Sequence, residues 1–95
     1  MVESLNTVFS PSPDALYQLL GGEAVLLNMK TEQYFGLDEV GTRVWEVLVE
    51  AGKVDVIVAR LVAEYDVDEV ILRRDVGALL AELMQAKLIV SANFP

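Results

Sequence analysis

The sequence predicts an α+β fold in which a three-stranded antiparallel sheet is followed by three helices. Short apolar stretches, separated by Gly21-Gly22 and by a Lys-Thr-Glu turn, fill the chain up to Leu37. From Glu39 onward, apolar residues recur at helical spacing. Strands that come first and helices that come afterwards, without alternation, are typical of the α+β class.

Three strands are predicted, at residues 14–20, 23–29 and 33–37. Gly21-Gly22 fits a two-residue hairpin loop, because the central residues of such a turn adopt positive φ. Residues 30–32 form the second turn. Two further segments, residues 7–10 and 88–90, are predicted to be extended. Residues 1–6 and 93–95 are predicted to be tails.

The three helices are predicted at residues 39–50, 54–65 and 69–86. Asp38 and Asp68 precede the first and third helices, where an Asp side chain accepts hydrogen bonds from free backbone N–H groups. Lys53 is a weak cap for the second helix, and Gly52 suits a left-handed end of the first. The apolar stripe of the third helix predicts its core face: Leu72, Val76, Leu79, Leu80 and Leu83.

Composition limits the functions that this chain can perform. The 95 residues are enough for a single domain, residues 1–95, with one modest core. There is no cysteine and no histidine, so the commonest metal ligands, general base and thiol nucleophile are all missing. No catalytic constellation can be assembled, and the sequence predicts a protein that is not an enzyme and uses no metal or cofactor.

Charge and hydropathy restrict the partners. The net charge of −8 argues against nucleic acid, because affinity for phosphates depends on Lys and Arg. No signal peptide and no membrane-length apolar run are recognisable, so a cytoplasmic protein is predicted. The apolar fraction of 54% is high for so small a chain, and some apolar surface is therefore expected to remain exposed as a partner site.

The third strand is the candidate for that site, as an open sheet edge beside a groove. The core face of the third helix is centred on Val76. The flank beside this face carries small and apolar residues and is bordered by two arginines. A glycine inside a helix costs about 1 kcal/mol relative to alanine, so Gly77 needs a compensating role. The predicted peptide-binding residues are Gln33, Tyr34, Phe35, Gly36, Leu37, Val70, Arg73, Arg74, Gly77, Ala81 and Met84.

Two interpretations of Arg73 and Arg74 stay open. As a pair exposed on a helix near Glu69 and Asp75, they are equally well explained as solvated charges. Alternatively, they capture an acidic side chain of the partner.

The segment GEAVLLNMKTEQYFGLDEVGTRVWEVL resembles the hairpin-to-helix signature of the PqqD-like family, and VARLVAEYDVD and RRDVGALLAELMQAKLI resemble its second and third helices. The family consists of small winged helix-turn-helix domains, also called RiPP recognition elements, that bind leader segments of ribosomally made precursor peptides. The resemblance covers residues 15–89. Two residues depart from the pattern: relatives commonly have glycine at the position of Lys87 and a capping threonine at the position of Lys53.

Within the family, the chain is most similar to the free-standing leader-binding proteins of lasso-peptide biosynthesis. The resemblance implies that a leader adds a strand antiparallel to residues 33–37 and contacts the third helix between Val70 and Met84. It also implies delivery of the leader to a leader peptidase and a cyclase. The oligomeric state is not implied.

Two alternative functions remain. The first is a carrier for the pyrroloquinoline-quinone precursor or for another peptide substrate of a radical enzyme. The second is a DNA-binding winged helix, which is disfavoured because Glu69, Asp75 and Glu82 accompany the two arginines on the third helix.

Overall fold

The computed structural model describes residues 7–93, and it confirms the α+β class. Within these residues, five strands and three helices follow one another. In order they are β1 (Thr7–Pro11), β2 (Ala15–Leu20), β3 (Glu23–Asn28), β4 (Gln33–Leu37), α1 (Glu39–Glu50), α2 (Val54–Glu64), α3 (Glu69–Gln85) and β5 (Ile89–Asn93).

The predicted three-stranded sheet is confirmed, with antiparallel strands in the order β2-β3-β4. Leu20 pairs with Glu23, so Gly21 and Gly22 alone close the first hairpin, at φ values of 62° and 89°. Both values lie in the left-handed region that glycine tolerates best. The second turn ends at Glu32, which has a φ of 65° although it is not glycine.

A second sheet, which pairs β1 with β5, was not predicted. The two extended segments were predicted, but their antiparallel pairing was not. In this pairing, Thr7 lies opposite Asn93. Asn93 therefore belongs to a strand, and its prediction as part of a tail was wrong. The predictions for residues 1–6 and 94–95 lie outside the described residues. Gly52 anchors β1 to the helices, because its carbonyl accepts a 2.7 Å hydrogen bond from the Phe9 N–H.

The helix ends follow the capping signals of the sequence. The Asp38 carboxylate accepts from the Gly41 N–H at 2.7 Å, and the Asp68 carboxylate accepts from two N–H groups of the first turn of α3. Lys53 makes no side-chain capping bond. Gly52 follows α1 at a φ of 65°, as predicted. None of the described helices is long and apolar enough to cross a membrane.

The core lies between the inner face of the three-stranded sheet and the three helices. Of the predicted core stripe of α3, Leu72, Val76, Leu80 and Leu83 are buried, and Leu79 is partly buried at its margin. On β2, the strand at the other edge of the sheet from β4, the Tyr17 ring stacks on the Trp45 ring of α1, with the ring centroids 6.3 Å apart. The largest fully buried side chains include Leu26, Leu48, Ile57, Leu61, Leu80 and Leu83.

Lys87, one of the two residues that depart from the family pattern, has a φ of 59° just after α3. A side chain in this conformation is strained by roughly 1 kcal/mol, whereas glycine is not. We therefore expect Lys87→Gly to raise the free energy of unfolding by up to about 1 kcal/mol, measured by urea unfolding. Lys30→Gly, at an exposed turn position where φ is not positive, is the control and should bring no gain.

Candidate functional site

An open groove of about 570 Å³ runs between β4 and α3. β4 is the last strand of its sheet, and its outer edge is unpaired among the described residues. The floor and walls come from β4, the start of α1, the α2–α3 turn and one side of α3. The lining residues are Phe35, Gly36, Leu37, Asp38, Val40, Gly41, Val44, Val67, Ile71, Leu72, Asp75, Val76, Leu79 and Glu82.

The junction between β4 and α1 builds the floor of the groove. Leu37 ends the strand and is buried, and Asp38 then caps the helix, so Val40 comes to the surface beside the strand. A Cβ added at Gly41 would lie 3.3 Å from Leu37 Cδ2 and 3.2 Å from Asp38 Oδ1. The small residue therefore lets the first turn of α1 pack closely on the end of β4.

Residues at helical spacing on one flank of α3 form the opposite wall. Ile71, Asp75, Leu79 and Glu82 succeed one another at intervals of three or four residues, so they lie one above the other on the same side of the helix. Ile71 is half-exposed (50%), and Leu79 is partly buried. Apolar and acidic side chains therefore alternate along this wall.

This wall is the opposite flank of α3 from the one that the sequence analysis selected. None of the predicted α3 residues, Val70, Arg73, Arg74, Gly77, Ala81 and Met84, is among the described residues that line the groove. Val70 is 78% exposed, and Met84 lines a separate cavity near the β3–β4 turn. The apolar stripe identifies the direction of the core, but it has two flanks, and only tertiary packing decides which flank meets β4.

The predicted residues of β4 divide between the two faces of the sheet. Phe35 and Leu37 share the inner face and line the groove, and Gly36 contributes from the strand between them. Tyr34 is 74% exposed on the outer face. Gln33 is exposed at the start of the strand. Their direct role in peptide binding stays a prediction.

Arg73 points away from the groove and toward α2. Its Nη1 lies 2.8 Å from Asp55 Oδ1, and its Nη2 lies 3.5 Å from Glu69 Oε2. The hydrogen bond to Asp55 is the main reason that the pKa of Arg73 is raised above its usual value. Arg74 is largely exposed, with Nε 3.8 Å from Asp75 Oδ1. These positions agree with the interpretation of the pair as solvated charges on the helix surface.

Asn28 fixes α3 relative to the sheet and was missed in the sequence analysis. This buried side chain donates from Nδ2 to the Ala86 and Lys87 carbonyls, at 3.0 and 3.2 Å. Its Oδ1 accepts from the Lys30 and Thr31 N–H groups at 2.9 and 3.1 Å. An apolar-flanked Asn immediately before a turn was the available signal. One amide thus holds together the β3–β4 turn and the end of α3.

We expect Asn28→Asp to lower the free energy of unfolding by at least about 2 kcal/mol, because the two carbonyls lose their donor and face a buried carboxylate instead. Chemical unfolding at neutral pH measures the loss. Gln18→Glu, at an exposed position of β2, changes the charge by the same amount and is the control. An Asn28→Asp protein as stable as this control would contradict the bracing role.

The groove combines main-chain, apolar and acidic groups. Among residues 7–93, no group of three or more Asp or Glu side chains is placed to hold a metal ion. The groove offers an unpaired strand edge, apolar side chains and a few carboxylates. These are the features to which an extended peptide binds by strand addition, with main-chain hydrogen bonds to the edge and side chains in pockets.

Comparisons with known proteins give one family match and two similar solved structures. The profile of one family, described as Coenzyme PQQ synthesis protein D (PqqD), matches residues 23–89. A solved structure described as TbiB1 in complex with the TbiA(beta) leader peptide is 36% identical, with a TM-score of 0.79 over 84% of this chain and 93% of that chain. A second, lasso peptide synthetase B1 complexed with the leader peptide, has the same TM-score at 21% identity, over 86% and 96% of the two chains. No curated protein matches the sequence.

Proposed function

The chain belongs to the PqqD family, and from this premise we propose that it binds the leader segment of a ribosomally made precursor peptide in lasso-peptide biosynthesis. The observation that carries the proposal is the unpaired edge of β4 beside an apolar groove. The similar chain at 36% identity is described in complex with a leader peptide, which supports the same ligand class for this groove.

In the proposed complex, the leader forms a fourth strand antiparallel to β4. Its main-chain groups bond to the open edge, and its inward-facing side chains contact Phe35, Leu37 and the α3 wall. Side chains on one face of a strand repeat about every 6.7 Å, so alternate leader residues enter the groove. We also interpret α2, α3 and the β-hairpin as a winged helix-turn-helix that serves peptide binding.

The proposed role is that of a carrier, not of a catalyst. The chain would present the bound leader to a leader peptidase and a cyclase in the cytoplasm. A carrier for the pyrroloquinoline-quinone precursor is the second candidate, favoured only by the description of the matching family. DNA binding receives no support, because Arg73 is paired with Asp55 and Glu69 and the net charge is −8.

A titration with synthetic leader peptides tests the proposal. The peptides correspond to the leaders of precursors encoded beside this chain, and amide chemical shifts report their position. We expect the shifts to cluster at residues 33–37 and at Ile71, Asp75, Leu79 and Glu82. Shifts confined to α2, or no binding at micromolar concentrations of any such leader, would contradict the proposed function.

A further inference from the structure

The polar side chains that line the groove all carry negative charge. They are Asp38, Asp75 and Glu82, and no Lys or Arg is among the described lining residues. Of the two arginines of α3, Arg73 makes its ion pairs on the opposite flank, and Arg74 is exposed with only a 3.8 Å contact to Asp75. The groove therefore has an acidic potential beside its apolar floor, which is the reverse of the arginine-lined site that the sequence suggested.

Two of these carboxylates remain free to bind a partner. The Glu82 carboxylate makes no hydrogen bond or ion pair with any described residue. Asp75 has only the long 3.8 Å contact with its exposed neighbour Arg74. Asp38 is different, because its Oδ1 accepts from the Gly41 N–H as the cap of α1. Asp75 and Glu82 are thus the charges available to an incoming peptide.

We infer that the groove selects an extended peptide that carries a Lys or Arg side chain facing α3, two residues from an apolar side chain on the same face. The inference rests on the proposed function. Leu79 lies one turn from each carboxylate, and a turn of helix advances 5.4 Å. Strand residues two apart are about 6.7 Å apart, so one apolar and one basic side chain meet Leu79 and a carboxylate at the same time.

Opposite charges on an exposed wall contribute modestly to affinity but strongly to the choice of partner, because an acidic peptide is repelled by the same carboxylates. A basic residue with a long apolar stem also fits this wall, since the stem packs on Leu79 while the charged end reaches Asp75 or Glu82.

Selection from a random linear peptide library on the full chain tests the inference without knowledge of the natural ligand. We expect enriched peptides to carry Lys or Arg two residues from an apolar residue. We also expect the Asp75→Asn/Glu82→Gln protein to lose the basic preference while it keeps the apolar one. The control protein, Glu23→Gln/Glu50→Gln, has the same net charge as that variant but keeps the groove intact, and it should retain the basic preference.

Binding measurements with one enriched peptide and its Lys→Gln or Arg→Gln counterpart make the test quantitative. The parent protein should bind the basic peptide about threefold or more tightly at low salt, with a smaller ratio at high salt. The groove variant should bind the two peptides equally. Equal binding by the parent, or a preference retained by the groove variant, overturns the inference.

The same measurements separate this inference from the proposed function. Peptides that shift the amides of β4 but show no basic preference overturn the inference and leave the proposed function standing. If no enriched peptide shifts the amides of β4, the inference is overturned, and the titration with natural leaders decides the proposed function separately.

Discussion

Ile71→Gln should weaken leader binding about tenfold, or about 1.4 kcal/mol, whereas Val70→Gln should leave it unchanged. Both residues are exposed apolar side chains in the first turn of α3, yet Ile71 lines the groove and Val70 points to the other flank. Burial of an aliphatic side chain contributes about 1.5–3 kcal/mol when complete, so covering half-exposed Ile71 fits the expected loss. Isothermal titration with a leader peptide measures both affinities.

Val70 is a matched control, because it is adjacent to Ile71 in the chain and is also an exposed aliphatic residue. Glutamine is a good helix former, so both variants should melt close to the parent, which thermal unfolding checks. A loss of affinity in Val70→Gln with normal binding in Ile71→Gln would place the peptide on the flank that the sequence analysis chose. It would also exclude the groove beside β4 as the binding site.

Gly52→Ala should destabilise the domain by about 3 kcal/mol, the largest effect that we expect from a single added methyl group. Gly52 has a φ of 65°, and a Cβ there would overlap the Phe9 carbonyl oxygen and lie 3.0 Å from Val8 Cγ1. β1 would have to move and give up the Phe9–Gly52 hydrogen bond. We expect the melting temperature to fall by at least about 10 °C.

Gly21→Ala separates backbone strain from the clash. Gly21 has nearly the same φ, 62°, but no atom lies within 4 Å of its hypothetical Cβ. This variant should cost only the strain of about 1 kcal/mol. Equal losses in the two variants would show that β1 does not pack on Gly52 as closely as described.

The sequence allowed the elements to be predicted to within one residue at most ends, because their boundaries have local chemical causes. Gly21-Gly22 requires a turn, and Asp38 and Asp68 supply the acceptors that begin α1 and α3. The inner and outer faces of β4 follow from strand alternation. These signals depend only on neighbours in the chain.

Features that depend on distant contacts were not predicted. Pairing between β1 and β5 joins the two ends of the described chain, and no local pattern indicates it. The flank of α3 that lines the groove was not predicted for a related reason, and the binding role of Val70, Arg73, Arg74, Gly77, Ala81 and Met84 stays an untested prediction. Leu72, Val76 and Leu83 show where the core lies, but the packing of α3 against β4 alone decides whether Ile71 or Val70 faces the strand.

The β1–β5 ladder also has a kinetic consequence. Its hydrogen bonds form only after almost the whole described chain has been brought together, so their enthalpy cannot offset the loop-closure entropy early in folding. The β2–β3 hairpin and the α2–α3 pair close short loops and are suited to a folding nucleus. Substitutions in β1 should therefore accelerate unfolding and leave the refolding rate nearly unchanged. Their kinetic φ-values, which give the fraction of the stability change that appears in the folding barrier, should be near zero.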